Sequence, residues 1–250
     1  MNDILAHGRL ADIRLQNVEP RATFEPGQLD GLPAPAATFL EHAIAPGTPL
    51  PQRVSLTMHG HIKVMGGWLP FRAEQVIDHD RGFWWTASVA HGLLRGSDSF
   101  DHEQGQTRFT LGGIVPVVIG DGKDVSRSAL GRFIAEQAIW LPASLLPANG
   151  THWSAVDRDH ADATVPGSGT YTHLRIGIDA DGAVRDLAMS RWGRSHGRLG
   201  WIPFGMVADA EAAYGNFTLV SQGHVGWWYG TAKWPAGEFF RFTIDDVRPI

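Results

Sequence analysis

DVSRSALGRFIAEQAIWLPASLLP, Asp124 to Pro147, reads as the long helix around which this chain is organised. At roughly 100° per residue, Val125, Ala129, Phe133 and Trp140 share one apolar stripe, with Ile139 at its edge. Glu136 falls inside that stripe and Arg132, one turn earlier, at its margin. A bare carboxylate buried there would cost several kcal/mol, so it must be paired, hydrogen-bonded or neutral. Asp124 or Ser126 is the expected N-cap, and Pro142 ends the helix before one further turn at Ser144–Pro147.

Most of the remainder reads as strands. Val54–Met65 alternates, with Val54, Leu56, Met58, Ile62 and Val64 on one face and Ser55, Thr57, His59, His61 and Lys63 on the other. After a turn at Gly66-Gly67, Trp68–Ile77 continues the pattern, then a turn cluster at residues 78–82. Phe83–Val89 is apolar on both faces, which predicts cover on both sides. Leu93–Phe100 follows, and Gln106–Ile119 reads as one strand with a bulge or bend at Gly112-Gly113. Beyond the helix, strands are expected at 151–156, 162–165, 171–178, 184–191, 203–213, 217–229 and 239–247, with a mixed loop at 192–202. Upstream, residues 1–33 read as a loose arm with room for one short helix, and Pro35–Ala45 as a short helix. The expected fold is α+β and mostly β: a curved antiparallel sheet wrapped around a central helix near 124–141, one domain over 34–250.

Composition bounds the function. Hydrophobic residues make up 43% and charged residues 19% of 250, which suits a folded globular chain. A net charge of −5, with no basic run, argues against nucleic acid as partner. The absence of cysteine excludes disulfides, thiolate nucleophiles and cysteine metal sites. The N-terminal sequence MNDILAHGRLADIRLQ shows no signal pattern and no segment is long enough to span a membrane, so a cytoplasmic location is expected.

Ten tryptophans suit a thick core or an apolar pocket. Trp84, Trp85, Phe133, Trp140, Trp227, Trp228 and Tyr229 are the candidate ligand-binding residues, and each Trp-Trp doublet must send one ring to either side of the sheet. Candidate acid/base residues are Glu136 and Arg132, with His59 or His91 as partner. A structural ion pair is the competing reading of Arg132 and Glu136, and buried pairs are more often structural than catalytic. His59 and His61 share a strand face suited to two metal ligands, but no third ligand is near in sequence, so no metal is expected. Asp78-His79-Asp80 and Asp101-His102-Glu103 read as solvated turns. No nucleophile elbow or phosphate-loop spacing occurs, and no cofactor is expected.

Several blocks resemble an uncharacterised bacterial family, domain of unknown function 6544. They include Leu40–Ile44 through Pro49-Leu50, Gly67–Phe71, Ala73–Gln75, Gly82–Trp85, Leu111–Val117, Gly131-Arg132, Ala135-Glu136, Trp140–Pro142 and Leu145–Pro147. The resemblance covers roughly residues 36–250 and implies no established reaction. The order helix, strands, central helix, strands is also similar to the half-barrels of periplasmic lipoprotein carriers, a likeness of fold alone. The leading expectation is binding of an apolar small molecule of lipid, polyketide or terpenoid type between sheet and helix, with Arg132 and Glu136 at its polar end. The alternative is a cofactor-independent hydrolase, lyase or isomerase using Glu136 and a histidine.

Overall fold

The computed structural model of the chain describes Pro20 and residues 22–250 except Ser168 and His196. The part of the expected arm before Pro20, with any helix in it, lies outside the described residues. Its last dozen residues are not loose. Phe24 is fully buried, Thr23 bridges to Pro49, and a 3-10 turn at Pro26–Leu29 buries Leu29. Helix α1, Ala34–Ala43, follows and buries Phe39 and Leu40.

Among the described residues, thirteen strands form one antiparallel sheet: β1 (Arg53–Val64), β2 (Gly67–Asp78), β3 (Gly82–Val89), β4 (Leu94–Asp101), β5 (Gln104–Leu111), β6 (Val115–Gly120), β7 (His152–Ala155), β8 (His160–Gly167), β9 (Thr170–Ile178), β10 (Val184–Ser195), β11 (Arg198–Tyr214), β12 (Phe217–Trp227) and β13 (Glu238–Pro249). The order is β6-β5-β4-β3-β2-β1-β13-β12-β11-β10-β9-β8-β7. Two meanders therefore meet where the last strand pairs with the first, and β6 and β7 form the outer edges. Helix α2, Lys123–Trp140, is the link between those two edges. Because β6 and β7 lie at opposite ends of the sheet, α2 must cross the concave face, and it touches β4, β5, β10 and β12 on the way. The result is an unclosed half-barrel with a helix inside it.

Three local expectations are corrected. The segment 106–119 is two strands, since Gly112 and Gly113 both take positive φ (60° and 75°) and turn the chain back as a hairpin. The segment 192–202 is not a loop: β10 and β11 pair through it, Trp192 opposite Trp201. The N-cap of α2 is Gly122, with φ 86°, and neither Asp124 nor Ser126 caps it. Ser126 lies one turn in, donating to Gly122 O and accepting from the Gly105 amide, both at 2.9 Å.

The core is continuous around α2. Ile134, Ala138, Trp140 and Leu141 are almost wholly buried, as are Phe39, Leu56, Met58, Phe83, Leu174 and Leu187 on the elements that enclose it. Each such large side chain contributes roughly 1.5–3 kcal/mol. The apolar stripe is therefore too narrow a description of α2, which also buries Leu130, Gly131, Ala135 and Gln137. Strand β3 is covered on both faces as its sequence predicts. Trp85 belongs to the inner core, while Trp84 packs with Val76 against Ile250 on the outside.

Candidate functional site

Beside the C-terminal half of α2 the core leaves a cavity of about 290 Å³. Its walls come from α2 (Ala135, Ile139, Trp140), the first meander (Ile62, Trp85, Phe109) and the second (Leu187, Phe204, Met206, Val225, Trp227), with Phe239, Phe240 and Phe242 of β13 at the join. Ring contacts set these walls. Trp140 meets Phe242 edge-on at 5.3 Å and donates its indole N–H to Val220 O at 3.1 Å. Trp227 meets Phe204 edge-on at 5.1 Å. Two glycines give rings their seats: a Cβ on Gly96 would lie 2.1 Å from the Phe109 ring, and one on Gly193 2.6 Å from the Trp227 ring.

Four charged side chains reach the same cavity: Asp98, Arg132, Glu136 and Arg191. Arg132 Nε donates to Glu136 Oε1 at 2.7 Å, and a terminal nitrogen donates to Asp98 Oδ2 at 2.6 Å. The Arg132 guanidinium also lies 4.5 Å from the Phe83 ring and 5.2 Å from the Trp85 ring. Glu136 accepts a second bond from Gln75 Nε2 at 2.5 Å, and Asp98 one from Thr107 Oγ1 at 2.7 Å. The side chains of Arg132 and Glu136 are 17% and 13% exposed, and both border the cavity. Burial pushes the Glu136 carboxyl above its ordinary range, and the adjacent Arg132 only partly offsets this. For Arg132, the loss of solvation is outweighed by Glu136 and Asp98, which hold the guanidinium above its ordinary value.

Arg191 is the residue that reading the sequence for chemistry missed, along with Asp98 and Gln75. Each sits in phase with buried neighbours: Arg191 with Leu187 and Met189, Asp98 with Gly96 and Phe100, Gln75 with Phe71 and Ala73. The signal was a polar or charged residue on the apolar beat of a strand. Arg191 is 8% exposed, donates Nε–H to Ser128 O at 3.0 Å, and stacks 4.6 Å from Phe204 and 5.3 Å from Trp227.

The structure brings together Arg132, Glu136, Trp85, Trp140 and Trp227 of the residues singled out from sequence. The others go elsewhere. His59 faces out from β1, 45% exposed, with Nδ1 2.7 Å from Asp245 Oδ1, as the alternation with buried Met58 requires. His91 is exposed in the turn after β3, with φ 56°. Trp84 is on the convex face under the Arg81 guanidinium. Phe133 packs on Phe100 at 5.8 Å, on the neighbouring face of α2. Trp228 adopts φ 61° in the turn after β12. Tyr229 covers Gly205 on the convex side and meets Trp234 edge-on at 5.0 Å.

Of the two acidic turns, Asp101-His102-Glu103 is solvated as expected, with His102 and Glu103 exposed, whereas Asp78-His79-Asp80 is less so. Asp78, 4% exposed, accepts two bonds from Arg53 at 2.8 and 2.6 Å, and His79 Nδ1 lies 2.8 Å from Gln137 Oε1. Asp101 is held by Arg81 at 3.2 Å. Among the described residues, no group of three or more histidine or acidic side chains is placed to hold a metal ion. No helix among them is long and apolar enough to cross a membrane. A second, broader groove of about 1330 Å³ runs past the first turn of α2, bordered by Lys123, Arg127, Tyr171 and Trp201, and is open to solvent.

Fold and cavity together define an open antiparallel half-barrel whose internal helix and concave sheet enclose an apolar chamber with an ionic cluster in its wall. The chain belongs to the family of unknown function DUF6544, whose match spans residues 22–239. No curated protein matches it in sequence. Among solved structures it is similar to a LolA superfamily protein from Nitrosomonas europaea (7% identity, 87% of this chain and 92% of that one, TM-score 0.47). It is also similar to a domain from Vibrio parahaemolyticus provisionally assigned to outer membrane lipoprotein sorting (9% identity, 78% and 84%, TM-score 0.45). A DUF1329 family protein from Desulfovibrio piger is a third likeness (12% identity, 80% and 86%, TM-score 0.44).

Proposed function

We propose that this protein binds an apolar small molecule, of lipid, polyketide or terpenoid type, in the chamber between α2 and the concave sheet. The observation that carries the reading is the chamber itself. Ten aromatic and aliphatic side chains or more converge on it, yet about 290 Å³ is left unfilled. That volume lies at the small end of ligand sites, which run from about 300 Å³ upward. A protein core of this size ordinarily closes such a void, because its lining loses contacts on one side.

The test is titration with N-phenyl-1-naphthylamine, an apolar fluorescent probe, with stoichiometry from native mass spectrometry. One saturable site per chain is expected, and Ala135→Leu, which pushes three extra carbons into the chamber, should weaken binding at least tenfold. Absence of saturable binding, or binding indifferent to Ala135→Leu, would contradict the reading.

A second reading keeps Glu136 as an acid or base acting on an apolar substrate. In its favour is a carboxyl on a ligand-sized cavity wall with its proton affinity raised by burial. Without His59 or His91 within reach, that chemistry would run on Glu136 with Arg132, Asp98 and Gln75 around it.

A further inference from the structure

The polar end expected from sequence is already occupied: Arg132 is committed to two carboxylates. Arg191 is not. Among the described residues no carboxylate lies within ion-pair distance of it, and its only hydrogen bond is from Nε to the Ser128 carbonyl. Among the described residues its terminal nitrogens have no acceptor; they keep some solvent-accessible surface, and the side chain lines the chamber. A guanidinium held against two aromatic rings with no carboxylate paired directly to it is costly, and its setting calls for an explanation. Burial, with repulsion from Arg132, pushes this guanidinium down to about 10, which still leaves it charged at neutral pH.

The helix is shaped to admit this side chain. A Cβ on Gly131 would lie 3.0 Å from Arg191 Cγ and 3.3 Å from Met189 Cε, so glycine at that position lets β10 lie close against α2. Glycine in a helix interior costs about 1 kcal/mol relative to alanine. The sequence accepts that cost where the arginine is seated.

We propose that Arg191 is the receptor for the ligand's acidic head, and that the ligand is a monocarboxylate with an apolar tail of about ten carbons. The inference rests on the reading of the chamber as a ligand site. Tail length follows from volume: at roughly 30 Å³ per water-sized group, a chamber of about 290 Å³ holds about ten. A carboxylate suits the planar fork of a guanidinium with both ends free. The neighbouring Asp98 and Glu136 favour a single negative charge over a dianion, because both carboxylates lie within electrostatic reach of Arg191.

The test compares decanoate with decan-1-ol, which share a tail and differ in the head, by isothermal titration calorimetry at pH 8. Decanoate should bind the wild-type protein at least tenfold more tightly than decanol. In Arg191→Gln that ratio should fall to between one and three, and Arg191→Lys should keep part of it. Equal binding of the two by the wild type, or an undiminished ratio in Arg191→Gln, would overturn the assignment of the head while leaving the apolar chamber standing. Failure of both compounds to bind would remove the chamber reading and this inference with it. Should Arg191→Gln fail to fold, the wild-type ratio and the lysine variant decide the matter.

Discussion

Two buried ionic clusters sit a few strands apart in this molecule, and they differ in a way that separates structure from site. Arg53 and Asp78 face one another across β1 and β2, each side chain 6% exposed, joined by hydrogen bonds of 2.8 and 2.6 Å. The second cluster, Asp98, Arg132, Glu136 and Arg191, is 17% exposed at Arg132 and 13% at Glu136 and opens on a cavity of about 290 Å³. It holds a carboxyl that burial biases toward its neutral form and a guanidinium with no carboxylate of its own. A closed, buried pair ties strands together. An open cluster with a guanidinium outside any direct pair and space beside it is what a ligand site requires.

The largest effect expected from breaking this comparison is on the closed pair. Asp78→Ala leaves the buried Arg53 without this carboxylate, and such single removals cost about 3–5 kcal/mol. Urea denaturation should show that loss, while the variant that remains folded still binds the naphthylamine probe with unchanged stoichiometry. A loss below about 1 kcal/mol would place the pair in the same class as a surface bridge.

Glu136→Gln should change stability far less, within about 1 kcal/mol near neutrality, because Arg132 keeps Asp98 and the amide can still accept from Arg132. Its signature is in the pH dependence. The carboxyl is raised in the folded state, so the native protein holds this proton more tightly than the unfolded chain does. The resulting stabilisation is complete below the ordinary glutamate range and is lost as pH rises through the folded value. The melting temperature of the wild type, taken relative to Glu136→Gln, should therefore fall as pH increases from that range. A flat difference would mean that folding leaves the proton affinity of this carboxyl unchanged. If a substrate panel also shows turnover that disappears in Glu136→Gln with melting intact at neutral pH, the acid/base reading gains over simple binding.

Much of the half-barrel was legible because its strands alternate and its helix is bounded by Gly122 and Pro142. Alternation also says that His59 points away from Met58 and the interior, which is where the structure puts it. What was not legible has physical reasons. At the ends of the β5–β6 and β10–β11 hairpins the strands project beyond the core. Ile114, Val117, Ile119, Leu199 and Trp201 are exposed there, so burial no longer imposes a period-two pattern. A pair of glycines then reads equally as a bulge or as a turn, and a stretch with Arg194 and Arg198 reads as a loop. The helical stripe was drawn for one partner surface, whereas α2 is enclosed from several sides. Arg191 escaped because a strand-end arginine looks like a solvated one until the phase with Leu187 and Met189 is followed through. The ring doublets split as geometry demands at Trp84-Trp85, but Trp228 leaves the strand in a left-handed turn, and alternation stops applying to it.

Electron density from crystals grown with N-phenyl-1-naphthylamine puts the central claim to the most direct trial. One probe molecule is expected inside the half-barrel, in contact with Trp85, Trp140 and Trp227 beside α2. Density confined to the open groove bordered by Tyr171 and Trp201, with the inner chamber unchanged, would contradict it.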